Sequence, residues 1–528
     1  MSWRIRSLAL AAAVAVTVTG CSGGAVRKAA STSSTFVYSF NLNVVTDWDP
    51  ATSYSNEIIA MQNVYESLTR YNTKSKKVEP RLATKWTSSD AGKKWTFTLR
   101  DGVKFHTGTA LTSSVAKAAI ERTMKMKGGA AYIWDPVKAI ETPDPHTLVF
   151  ELKYAAPLDL VSSSGYASYI YDTKAPGGGD LKDYVAKGHD TGTGPYTVAS
   201  WNKGQEAEVR LGQFKEYWGG WKGSHYTGIE FRNTPQVTTA WQQLQAGDVT
   251  YVHRLNPQLF AQAKGMKSLK TDSVPSFQNL MAFFNTEAGP LKDVKLRKAV
   301  QAAIDYNGLV STLKGSGTAA SGVVPTGLTG ATPGLAGRQD TAAATRLLNE
   351  AGYGPGKKSL TLDLTYAQGD DDQQKFVTLL SSALKGLNVK VQAKPMQWDA
   401  QWDRAKSKDA SKRQDVFVMY WYPDYPDAYS WFLNLFRSAD PVNFNLTYLN
   451  DSGVDGEIDK LPELTATNRS AAEASYASLQ RKLLVDQAVA APLFVQQYQR
   501  AYSADVDGYT DDPAYPNVVF AHDLSPAA

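Results

Sequence analysis

The chain has 528 residues, of which 43% are hydrophobic and 20% charged. Single cores stop growing near 250–300 residues, so two or three folded units are expected. Forty Gly and 24 Pro are spread along a chain with 11% aromatic residues and a net charge of +5, which excludes a disordered, collagen-like or polytopic membrane chain and gives no electrostatic reason to expect nucleic acid as a partner.

The first segment reads as an address. Arg4 and Arg6 precede an apolar run, Leu8 to Val18, which is too short to span a bilayer as a helix of ~20 residues. It is expected to be a secretory signal peptide over residues 1–20. Cys21, the only cysteine, follows directly, so neither an internal disulfide nor a Cys-based zinc site can form. Val18-Thr19-Gly20-Cys21 resembles the lipobox of bacterial lipoproteins, which implies that Cys21 is lipidated; an ordinary cleavage site with an incidental cysteine is the plain alternative. Residues 21–35 are rich in Ser, Gly, Ala and Thr and read as a flexible tether.

In the body, Phe36 to Phe40 is predicted as a strand and Glu57 to Leu68 as a helix with Ile58, Met61, Tyr65 and Leu68 on one face. Trp95 to Leu99 alternates like a strand and ends in the turn Arg100-Asp101-Gly102. Thr112 can cap a helix to about Met124, and His146 to Leu152 is a strand. Gly177-Gly178-Gly179 reads as a loop, and the turn Gly192-Thr193-Gly194-Pro195 leads into a strand at Tyr196. Further on, strands at 277–285, 360–366, 389–393 and 415–421 alternate with helices at 293–304, 341–351, 373–384 and 471–488, a pattern that argues α/β units.

Catalytic and metal chemistry find little support. The six histidines are never three to five residues apart, so no helical metal pair exists. There is no Gly-x-Ser-x-Gly elbow. Gly352-Tyr353-Gly354-Pro355-Gly356-Lys357-Lys358-Ser359 only superficially resembles a phosphate loop: Ala351 stands where its first Gly is needed, and Lys358 where Ser or Thr must follow the Lys. Among the many acidic residues no glycosidase pair is singled out. No cofactor and no metal are expected. What stands out is Met419-Tyr420-Trp421-Tyr422-Pro423-Asp424-Tyr425-Pro426-Asp427, a strand end that delivers aromatics and a carboxylate into a Pro-stiffened turn. Ligands of α/β folds bind beyond the carboxyl ends of strands. An acid framed by rings suits an ammonium group through charge pairing and cation–π contact. An aromatic core edge with a turn-capping Asp explains the same residues.

The run Pro80 to Trp86 followed by Ser89 to His106 resembles the signature of solute-binding protein family 5, the extracytoplasmic peptide- and nickel-binding lipoproteins of ABC importers. Asn63 to Leu68, Gly192 to Tyr196, Phe284 to Thr286, Pro290 to Asp293, Arg297 to Val300, Ala303 to Asp305, Leu347 to Tyr353 and Ala491 to Phe494 continue the resemblance in order along the chain. It implies a two-lobed periplasmic-binding-protein-like (type II) α/β fold with an extra α/β domain inserted in the first lobe. Lobe I is then expected at 36–72, 186–277 and 495–522, the extra domain at 73–185, and lobe II at 278–494, with hinge crossings near Phe277 and Leu493. By the same resemblance Asp424 holds a ligand's α-amino group, and Trp421 and Trp398 are cleft tryptophans. Ser53 and Tyr54 reach the cleft, Arg404 stands near a ligand-directed Arg, and Asn279 and Met419 line the wall. Tyr420 and Tyr422 flank the motif. Tyr420 replaces the family's usual Gly and Pro423 a small residue, so the pocket is expected to be smaller than usual or shaped for something other than a plain peptide; Ser114 replaces a common Asp at a helix start away from the cleft.

The function expected from these readings is a non-enzymatic, monomeric, lipid-anchored binding protein on the extracytoplasmic face of the cell membrane. It would capture a di- to oligopeptide and deliver it to ABC transporter permease subunits. The alternative is the same fold binding an oligosaccharide, metal chelate or opine, with a stacking surface of Trp398, Trp421 and Tyr422; a secreted hydrolase is the remote third reading.

Overall fold

The computed structural model describes residues 34–41 and 43–527; the signal segment, Cys21 and all but the end of the tether lie outside the described residues. Among the described residues no helix is long and apolar enough to cross a membrane.

The frame is an eleven-stranded mixed sheet. Two long antiparallel strands, Leu269–Phe284 and Ala490–Ser503, run through its centre. Their outer halves, 269–275 and 497–503, lie on the side of Tyr251–Val252, followed by Thr35–Phe40, Gly228–Asn233, Ala207–Gln213 and Tyr196–Trp201. The other half of the first strand, from Asn279 onward, pairs with Val416–Trp421, which is followed by Leu360–Ala367 and Val389–Met396. The register of the central pair slips between Pro275 and Asn279. Pro275 offers no backbone N–H to the ladder, so the pairing is weakest where the chain passes from one half-sheet to the other.

Val416–Trp421 forms a strand because six consecutive apolar, β-branched or aromatic residues can be buried on both faces. Phe417, Met419 and Trp421 enter the core cluster on one side, while Val416, Val418 and the partly buried Tyr420 pack with the cluster on the other. A separate four-stranded antiparallel sheet, ordered Ala83–Ser89, Lys94–Leu99, Thr147–Leu152, Val137–Asp144, carries the helix Ser113–Met126, whose N-terminus is capped by the Thr112 hydroxyl.

The helix expected over 57–68 is a single turn, Ile58–Met61. The chain leaves the helix because the carbonyls of Asn63 and Val64 accept from the amides of Tyr196 (3.1 Å) and Gly194 (2.9 Å). That close approach requires glycine opposite. A Cβ on Gly192 would stand 2.0 Å from the Val64 carbonyl oxygen, and one on Gly194 2.7 Å from that of Asn63. Gly192→Ala is expected to destabilise the protein by about 1–3 kcal/mol, since backbone cannot yield as a side chain can; urea unfolding reads the change.

Two other expectations shift. The strand expected from Phe277 begins at Leu269, and the helix expected at 471–488 is Arg469–Arg481 followed by a π-helical turn, Lys482–Asp486.

The motif around His106 is tied to the same junction. Its Nδ1 meets the Asp190 carboxylate and its Nε2 the Gly194 carbonyl at 2.8 Å, so both ring nitrogens must donate and the ring is imidazolium. Burial opposes that charge, but Asp190 outweighs it and holds the His106 pKa above its ordinary value. The stability this pairing contributes is fully present below about pH 6.5 and is lost as pH rises through the folded value. His106→Gln is therefore expected to flatten the decline of unfolding free energy as pH rises above about 6.5, read by urea titration against the parent.

Candidate functional site

Four segments converge on one residue, Asp424. Asp424 follows the strand Val416–Trp421 and is 2% exposed. Its Oδ1 accepts from the Tyr54 hydroxyl at 2.9 Å. Its Oδ2 accepts from the Tyr132 hydroxyl and from the Asn434 amide at 3.2 Å. Its carbonyl accepts from Ser164 Oγ at 2.5 Å.

Each partner is placed by local sequence. Tyr54 sits after the turn at Asp49-Pro50, where the Asp49 carbonyl accepts from Thr52 and Ser53 and the Asp49 carboxylate is gripped by Arg122. Tyr132 opens from Gly128-Gly129-Ala130-Ala131, and both glycines lie against Thr52 and Tyr54: a Cβ on Gly129, at φ +48°, would come within 2.7 Å of the Tyr54 Cβ. Asn434 is held by the Ser430 carbonyl one turn earlier in the helix Tyr429–Leu435.

All three side-chain partners of the carboxylate are neutral. Among the described residues no Lys, Arg or His pairs with Asp424. Burial pushes its pKa up to about 6, against the lowering pull of the hydrogen bonds from Tyr132, Tyr54 and Asn434. Burial, reinforced by the Asp424 charge, likewise holds the Tyr54 and Tyr132 hydroxyls protonated. The site is thus a desolvated anion cradled by donors but without a countercharge, an arrangement that favours a cation.

The other candidate residues divide. Tyr422 lies beside this centre, its ring 6.5 Å from that of Tyr166, which in turn meets Tyr54 at 5.4 Å. Ser53 is buried with its hydroxyl unpartnered. Trp421 is buried against Phe444 at 5.0 Å, and its indole N–H has no hydrogen-bond partner. Met419 is buried in the same strand. Trp398 is the exposed end of an aromatic ladder that continues through Trp402 at 5.4 Å and Phe444 at 4.8 Å to Trp421.

Two candidates serve the frame. The Arg404 guanidinium pairs with Asp363 at 2.6 Å and donates to the Lys412 carbonyl. The Asn279 amide is consumed by the Val323 carbonyl at 2.6 Å and the Trp431 indole at 3.2 Å. Tyr420 points away from Asp424's aromatic neighbours, with its ring edge on Phe494. Sequence reasoning missed Tyr132, Asn434 and Ser164; a paired glycine followed by small residues and one aromatic is the only local signal for Tyr132. Among the described residues no group of three or more His, Cys, Asp or Glu could hold a metal ion.

The probable D,D-dipeptide-binding periplasmic protein DdpA of Escherichia coli (strain K12) is 27% identical over 499 residues, covering 90% of this chain and 92% of its own. NikA from Brucella suis, solved in complex with Fe(III)-EDTA, superimposes with a TM-score of 0.81 at 22% identity, covering 93% of this chain and 99% of its own. DppA from Helicobacter pylori, solved with the peptide STSA, gives 0.78 at 19% identity over 94% and 98%. The fold is that of the type II periplasmic binding proteins. Residues 77–443, more than half of the chain, match the middle part of the bacterial extracellular solute-binding proteins, family 5. The chain therefore belongs to family 5 of the bacterial extracellular solute-binding proteins, binding components of ABC transporters and not enzymes.

Proposed function

We propose that this protein captures a short peptide, or another solute with a free amino group, between two lobes and hands it to an ABC importer. The observation that carries this reading is the buried, uncompensated Asp424 carboxylate: a ligand ammonium would supply the missing countercharge in a site already lined by oriented hydroxyls. DdpA and DppA, whose names and bound ligand concern peptides, support the class. Lobe I would comprise 36–72, 186–277 and 495–522, the extra domain 73–185, and lobe II 278–494. The central strand pair, slipping at 275–279, supports a hinge there. The lipidated Cys21 would hold the body to the extracytoplasmic face of the membrane, with 21–35 as its tether.

The chemistry sets a pH dependence. The ammonium binds the ionised carboxylate, and ionisation of free Asp424 has a midpoint of about 6. Affinity is expected to be level above that pH and to fall toward tenfold per unit below it, in calorimetric titrations with Ala-Ala-Ala. N-acetyl-Ala-Ala-Ala, which lacks the charge, should bind far more weakly. Equal affinity of the two peptides would overturn the assignment. Mass spectrometry of solute released from purified protein distinguishes a peptide from a sugar, chelate or opine.

A further inference from the structure

Behind the partners of Asp424 lies a cavity of about 310 Å³, lined among others by Tyr132, Tyr154, Tyr425, Tyr429 and Leu433. It is open to solvent, since Tyr154 and Asp135 on its wall are exposed. The helix Tyr429–Leu435 serves both places. Ser430 and Asn434, one turn apart, meet Asp424, while Tyr429 and Leu433, also one turn apart, line the cavity. Tyr132 is shared in the same way. Its buried hydroxyl meets the Asp424 carboxylate and accepts from the Asn434 amide at 3.1 Å, and the residue, partly exposed as a whole, lines the cavity. Asp424 itself is buried and forms no part of the cavity wall.

One layer of side chains, Tyr132 and Tyr425, therefore stands between a desolvated carboxylate and a space that water enters. Water passing this layer would solvate Asp424 and compete with a ligand ammonium. The segment that bears Tyr132 is held firmly. A Cβ on Gly128 would come within 2.8 Å of the Thr52 side chain, and the Trp134 indole donates to the Ala167 carbonyl at 2.8 Å. The cavity of about 310 Å³ has roughly twice the ~150 Å³ that holds a benzene molecule, so it has room for a ring-sized group. From the carboxylate, however, the way to that room is closed by Tyr132.

We propose that Tyr132 is a specificity-determining residue whose ring forms the end wall of the Asp424 site. It admits solutes that end at an unsubstituted amino group and turns away those that extend past it. The proposal rests on the peptide reading given above and sets a limit at the amino end of that ligand.

The test is calorimetric titration of the full chain with Ala-Ala-Ala and with N-benzyl-Ala-Ala-Ala, which keeps the positive charge and N–H donors but carries a ring beyond them. The parent is expected to bind the benzylated peptide roughly 10- to 100-fold more weakly, because its ring collides with the wall. In Tyr132→Ala that ratio should fall by about tenfold or more, since the benzyl group can then enter the cavity. Tyr132→Phe, which keeps the ring and loses only the hydroxyl, should retain the ratio of the parent. A general loss of stability weakens both peptides alike and leaves the ratio unchanged. Equal affinity of the two peptides in the parent, an unchanged ratio in Tyr132→Ala, or the same fall in Tyr132→Phe would overturn the wall and leave the peptide reading intact. If the parent binds neither peptide, that reading fails. In that case, or if Tyr132→Ala binds neither, the crystal structure of the ligand-free Ala variant decides the wall alone. A continuous cavity with ordered water on Asp424 supports it, and an Asp424 still closed off refutes it.

Discussion

Asp424→Ala is expected to weaken binding of an amine-bearing ligand by about 2–5 kcal/mol, roughly 30-fold to several thousandfold in affinity. The loss has two parts: the ligand ammonium is buried without its partner, and the Tyr54 and Tyr132 hydroxyls and the Asn434 amide lose their common acceptor. Asp424→Asn separates them, because it removes the charge but keeps one acceptor oxygen for Tyr132 and Asn434, while its amide N–H can donate to the Tyr54 hydroxyl. Its binding should be nearly as weak as that of the Ala variant, and it should lose the acid dependence with a midpoint of about 6. The ligand-free protein should respond in the opposite direction. A carboxyl raised from 3.8 to about 6 supports the folded state while protonated and ceases to do so as pH rises through that window. At pH 7 the ionised group thus costs the ligand-free protein about 3 kcal/mol, at 1.36 kcal/mol per unit, and Asp424→Asn should recover much of this in urea unfolding. Undiminished peptide titration in the Ala variant would remove Asp424 from the site.

Arg500→Met is expected to be the most damaging single change to stability, at about 3–5 kcal/mol. The side chains of Arg500 and Asp511 are 2% and 1% exposed, and the guanidinium also donates to the His253 carbonyl at 2.8 Å and to Asn517 at 3.0 Å. Removing it strands the Asp511 carboxylate, one oxygen of which already lacks a partner. The effect should be much smaller when Asp511→Leu is added, because the double variant buries no lone charge. An additive double variant in urea unfolding would show that the pair is not coupled.

Much of the fold could be read from local pattern. The strands at 35–40, 94–99 and 416–421 and the capped helices at 113–126 and 341–350 follow from alternation, apolar runs and Asp or Thr N-caps that act within a few residues. Asp424 was legible for the same reason, since it terminates a run whose character is local. Of its partners only Tyr54 was named, through the resemblance; Tyr132 is 292 residues away along the chain and meets Asp424 only through tertiary packing. Arg404 shows the converse. The resemblance implies a ligand contact for it, yet the strand Leu360–Ala367 lies parallel to Val416–Trp421 and Asp363 on it stands 2.6 Å from the guanidinium, a register that no local signal encodes. The helix expected at 57–68 failed because periodicity cannot foresee that the carbonyls of Asn63 and Val64 are claimed by the backbone of 194–196.

The central strand pair also dictates an order of assembly. Thr35–Phe40 pairs with Tyr251–Val252, which pairs in turn with Ala501 and Tyr502, so the earliest strand of the sheet is joined to the rest through one of the latest. Such sequence-distant pairings must close very large loops before they yield any stabilisation, which makes folding slow. Until the strand Ala490–Ser503 has left the ribosome, neither half-sheet can be completed. The topology itself therefore postpones the compact state until the strand Ala490–Ser503 is available to both half-sheets.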